Sequence, residues 1–62
     1  MIAYVKGVVT VVTPLEVRLH GETAGSRAAQ VGTWTPTVGM TVLVSVDATT
    51  RARLFAEGPI TP

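Results

Sequence analysis

Cysteine is absent from this 62-residue chain, and histidine occurs once. The first absence excludes disulfides and thiolate metal sites and removes the usual clue to redox compartment. The second leaves no set of imidazoles to hold a metal. Aromatics are scarce: Tyr4, Trp34 and Phe55 are all there are. No apolar run approaches the roughly 18 residues of a membrane-spanning helix, and Val8 to Val12 is broken by Thr10. Residues Met1 to Gly7 carry no basic stretch leading into an apolar one, so no signal peptide is expected. Neither sign of charge dominates, since five basic and four acidic side chains leave a net charge of +1. Lys6, Arg18, Arg27, Arg51 and Arg53 are interleaved with Glu16, Glu22, Asp47 and Glu57. That balance argues against a nucleic-acid binder, which usually carries a basic patch, although a fold could still gather Arg18, Arg51 and Arg53 on one face.

What is present is hydrophobic, with 47% of residues apolar and a mean hydropathy of +0.44. Sixty-two residues make one domain, spanning 1–62. So short a chain buries only about 60% of its unfolded surface, and small domains recruit disulfides, metals or oligomerisation to compensate. Without cysteines, association with copies of itself or with a larger partner is the device left. The excess apolar surface reads the same way, as area for a partner.

The strongest local pattern is Thr13-Pro14-Leu15-Glu16-Val17-Arg18-Leu19-His20-Gly21. Leu15, Val17 and Leu19 alternate with Glu16, Arg18 and His20, the period of a strand with one buried and one wet face. Ahead of it, Ala3 to Val12 reads as a long strand rich in β-branched valine, with Gly7 placed for a bend or bulge. Thr13-Pro14 makes the hairpin turn between them. Gly21 to Arg27 is a polar loop, and Ala28 to Val31 a short third strand. Pro36-Thr37-Val38-Gly39 is a turn with proline at its second position. Thr41 to Val46 is the fourth strand and Arg51 to Glu57 the fifth, with a helix over Thr49 to Glu57 as the competing reading. Five short strands at turn spacing predict an all-β fold, a small five-stranded antiparallel β-barrel. OB-like topology is favoured because the long first strand can bend to serve both halves, and SH3-like is the alternative.

The chain offers little chemistry. His20 lies on the polar face of the second strand with Glu16 and Arg18, and neither Ser26 nor Ser45 stands at a spacing that makes a triad with it. The four acids show no paired or metal-loop spacing, and Gly21 and Gly25 flank a polar loop rather than a phosphate-cradling strand-to-helix turn. The sequence predicts no enzyme, no cofactor and no metal. Trp34 has three open readings: a core plug or barrel cap, an interface anchor, or a stacking platform for a base.

The run Gly7-Val8-Val9-Thr10-Val11-Val12-Thr13-Pro14-Leu15-Glu16-Val17-Arg18-Leu19-His20-Gly21-Glu22-Thr23 resembles the opening of small OB-like domains in structural proteins of tailed bacteriophages. Thr35-Pro36-Thr37-Val38-Gly39-Met40-Thr41-Val42-Leu43-Val44 resembles the turn and strand that follow in those barrels, with Met40 where they carry an acid. The resemblance implies a capsid decoration or minor capsid protein that cements the head. It implies the major capsid protein or other virion proteins as partners, a homo-oligomer, and a place in the virion assembled in the host cytoplasm. Head-tail joining or a tail or baseplate role is the nearest alternative; a single-stranded nucleic-acid binder and a small adaptor are the others. Ile2, Tyr4, Trp34, Val38 and Met40 are the expected interface residues, helped by edge-strand pairing with a neighbour.

Overall fold

Strand pairing begins from the long valine-rich segment. The computed structural model describes residues 2–47, 49 and 53–60. β1 (Ile2–Val11) is the spine, flanked by β2 (Glu16–Leu19) on one side and β5 (Thr41–Asp47) on the other, both antiparallel. β3 (Ser26–Arg27) pairs antiparallel with β2, and β6 (Leu54–Pro59) antiparallel with β5. β4 (Ala29–Gln30) runs parallel to β6. The sheet order is β3-β2-β1-β5-β6-β4.

The two edges of that sheet, β3 and β4, are neighbours in sequence with only Ala28 between them. Ala28 N–H still bonds the Leu15 carbonyl at 3.1 Å, and Val31 N–H bonds that of Ala56 at 2.9 Å. Residues 26–30 therefore form one bent strand that faces β2 first and β6 afterwards, and the sheet comes round to a nearly closed barrel. Counting that bent strand once, the order around the barrel is first, second, third, fifth, fourth and back to the first, the connectivity of an OB-like barrel. The all-β barrel is as expected. Its third strand differs: it starts at Ser26, inside the stretch assigned to a loop, breaks at Ala28, and its second half is parallel rather than antiparallel. So short a stretch carries too few residues for a period-2 pattern to show.

Leu54 to Glu57 lies in a strand, not a helix, and that strand continues through Gly58 and Pro59. The expected start of this strand at Arg51 and Ala52 lies outside the described residues. The β1 bulge falls between Val9 and Val11, not at Gly7. There Thr10 turns its hydroxyl to the Glu16 carbonyl at 3.3 Å.

The core follows from register. Val9 opposes Val17, Gly7 opposes both Leu19 and Val42, and Val44 opposes Val5 and Ala56. Val9, Val17, Val42 and Val44 are fully buried, with Leu15, Leu19, Ala28, Trp34, Met40, Val46 and Leu54 packed around them. A centre of four valines is thin, because each fully buried side chain of this kind contributes only about 1.5–3 kcal/mol.

The turn into β5 sits two residues later than a turn with Pro36 at its second position would. Met40 N–H bonds the Thr37 carbonyl at 3.1 Å, making Val38 and Gly39 the central pair, with Gly39 at φ 92°. A Cβ there would meet nothing within 4 Å, so Gly39→Ala carries a purely conformational cost. It is expected to destabilise the barrel by about 1–2 kcal/mol, read as a lower denaturation midpoint with an unchanged slope.

Candidate functional site

The expected interface residues divide into three places. Ile2 and Tyr4 stand on the outward face at the start of β1, each 61% exposed. Val38, 67% exposed, belongs to the opposite end of the same strand, because Gly39 N–H bonds the Val9 carbonyl at 2.9 Å. Ile2 and Val9 are seven residues apart on β1, roughly 23 Å at the strand rise, so Val38 and the Ile2–Tyr4 pair are separate surfaces. Trp34 and Met40 are half-buried and packed against the core.

Trp34 is built into the segment that joins β4 to β5. Its indole Nε1–H donates to the Val31 carbonyl at 2.7 Å. Gln30 Nε2 donates to the Trp34 carbonyl and also to that of Gly32, the latter at 3.3 Å. The Cδ1 edge of the indole lies 3.6 Å from where a Cβ on Gly32 would stand and 3.7 Å from one on Gly58. These contacts hold the half-buried indole against the core, Gly32 and Gly58, as a plug or cap would be held.

The start of β1 is different. β5 covers Ile2 to Val8 on one side, but β2 pairs only from Gly7 onward, its last link being His20 N–H to the Lys6 carbonyl at 3.0 Å. Among the described residues, no strand pairs with Ile2–Val5 on the β2 side. This free edge is apolar, since Val5 is also exposed. Across the sheet Tyr4 opposes Ser45, which opposes Phe55. Ser45 is only 5% exposed although it faces outward, and its hydroxyl donates to Glu57 Oε2 at 2.8 Å. Tyr4, Ser45 and Phe55 thus form one row on the outer face. Phe55 was missing from the expected interface because its own strand groups it with Arg53 and Glu57; only the register across β5 sets it in line with Tyr4.

Hollows mark the described surface. One of about 470 Å³, lined by Ala3, Val5, Leu19, Val46 and Leu54 together with His20, Glu22 and Ser26, adjoins the free edge. A second of about 540 Å³ runs from Pro14 and Leu15 past Arg27 to Arg53 and Phe55. A third, of about 230 Å³, lies on the outside of the β1–β2 hairpin and includes Lys6, Arg18 and His20. No three His, Cys, Asp or Glu side chains are grouped as metal ligands among the described residues, and no buried side-chain polar atom there lacks a hydrogen-bond partner. Among the described residues, no helix is long and apolar enough to cross a membrane. Compared with protein-family models, with curated proteins and with solved structures, the chain matches none.

Proposed function

We propose that this protein is a non-enzymatic assembly module that docks the Ile2–Val5 end of β1 on a larger protein, and that the partner is the major capsid protein of a tailed phage, whose shell it cements. The observation that carries the docking is the free edge: a half-strand with unpaired main chain on one side and Ile2, Tyr4 and Val5 exposed along it. Such an edge is a template for a strand from another chain, with backbone hydrogen bonds supplying affinity and alternate side chains specificity. The thin valine core supports the same reading, because the missing burial is made up by association. The capsid as partner rests on the resemblance of Gly7 to Thr23 and Thr35 to Val44 to phage structural barrels.

Light scattering after size exclusion, with and without purified capsids, tests it. The protein is expected to bind capsids with little salt dependence. The double variant Ile2→Asp/Tyr4→Asp, at two exposed positions, is expected to melt within a few degrees of the wild type and to lose at least tenfold in capsid binding. A wild-type monomer that ignores capsids would overturn the proposal.

A second reading has its own observation. The hollow lined by Arg27, Arg53 and Phe55 beside Pro14 and Leu15 sits by the first hairpin turn and the third strand, where OB-folds take oligonucleotides. A cationic groove with a stacking aromatic is what a single strand requires. Its measure is affinity for an oligothymidine that falls linearly with the logarithm of salt; no binding at low salt removes it.

A further inference from the structure

The outer face of the β1–β2 hairpin gathers Lys6, Arg18 and His20, of which His20 also lines the hollow beside the free edge. We propose that this face is an anion site that takes a phosphate group, held by Lys6, Arg18 and His20.

The register builds the site. Val8 opposes Arg18, and His20 N–H bonds the Lys6 carbonyl at 3.0 Å. Side chains of one parity share a face, so Lys6 and His20 stand side by side with Arg18 one step along. All three are exposed and line the same hollow of about 230 Å³. The chain then folds back, Glu22 N–H bonding the Leu19 carbonyl at 3.0 Å, and Glu22 becomes the single acid of the lining. Glu16, the other acid on that face of β2, is turned elsewhere: its Oε1 lies 3.6 Å from where a Cβ on Gly25 would stand, and it is no part of the lining.

Size and donor geometry choose the ligand. Sites for drug-sized molecules run from about 300 to 1,000 Å³, so this hollow suits one small group rather than a whole nucleoside. An arginine fork grips two oxygens of an oxyanion, and a lysine ammonium adds a point charge. Here the donors come from two strands and a turn, so they approach from different directions. A planar carboxylate offers two oxygens in one plane; a tetrahedral phosphate offers oxygens to all three donors at once.

The same chemistry could arrive as a free phosphate ester or as the backbone of a nucleic acid, and one titration separates them. Amide NMR shifts of the wild-type protein are followed first with inorganic phosphate, then with a short oligothymidine. Phosphate is expected to give saturable shifts confined to Lys6–Val8 and Arg18–Glu22. Arg18→Gln is expected to weaken it at least tenfold. Glu22→Gln is expected to tighten it about threefold, while Glu57→Gln, an equal change of net charge on β6, leaves it unaltered. If the strand moves those same amides at tenfold lower concentration, the phosphate belongs to a nucleic-acid backbone; if it leaves them still, to a free ester. Shifts spread over the whole chain, or an equal gain from Glu57→Gln, would reduce the effect to bulk charge and overturn the site. Each variant's amide spectrum shows whether the barrel is intact.

Discussion

Replacing Trp34 by alanine is expected to cost about 2–3 kcal/mol and to lower the melting temperature by roughly 10–20 °C. The indole is half-buried against the valine core, its N–H is bonded to the Val31 carbonyl, and its edge fills the space beside Gly32 and Gly58. Alanine removes all three contacts and frees the carbonyl that Gln30 bonds to shift with the segment. Trp34→Phe keeps much of the apolar area and loses the N–H bond, so about 0.5–1.5 kcal/mol is expected for it. Calorimetry measures both. The cap also predicts that capsid binding per folded molecule is unchanged in either variant. A Trp34→Ala protein that melts like the wild type but no longer associates would make the tryptophan an interface anchor instead.

The pair Gly7 and Val44 is expected to be strongly coupled. Val44 is fully buried at the centre of β5, and Val44→Ala deletes two methyl groups' worth of packing and leaves a void, a loss of about 2 kcal/mol. In a domain this small, whose net stability is about 3–5 kcal/mol, that is close to half. Gly7 explains why valine fits there: a Cβ on residue 7 would lie 3.2 Å from Val44 Cγ2 and 3.4 Å from the Arg18 carbonyl oxygen. Gly7→Ala alone therefore overpacks the barrel, at about 1 kcal/mol. Combined with Val44→Ala, the new methyl enters the space that the valine vacates. The double variant is expected to be about 1 kcal/mol more stable than the sum of the single losses, a coupling typical of side chains in contact. Urea denaturation of the four proteins closes the cycle, and strict additivity would mean that the two positions do not share that space.

Legibility in the sequence followed the length of the elements. β1, β2 and β5 each repeat the two-residue period several times, and Val17, Val42 and Val44 are buried where the alternation puts them. Ser26–Arg27 and Ala29–Gln30 hold two residues apiece, too few for a period, and their pairing is decided by partners far along the chain. The turn centres on Val38-Gly39, two residues past the place that Pro36 marks, because the positive φ at Gly39 is what the bend needs. The candidate surfaces were legible only in part. Ile2 and Tyr4 are hydrophobic at a chain position where exposure shows only in three dimensions. Phe55 and Tyr4 lie 51 positions apart and meet through Ser45. Lys6 joins Arg18 and His20 only through the hairpin register, and the charges along the sequence look evenly mixed for that reason.

The bent segment from Ser26 to Gln30 also sets an order of events. Its first half can pair with β2 as soon as the β1–β2 hairpin exists, but its second half must wait for β6, which follows it in the chain. Closing the seam must therefore be late in folding, after the loop entropy of bringing distant hairpins together has been spent. Before that moment β6 presents a bare strand edge, and a second molecule can offer it the same short segment in trans. Crowding many copies onto one surface would then favour exchange of this segment between neighbours, and dilution would favour the closed single chain.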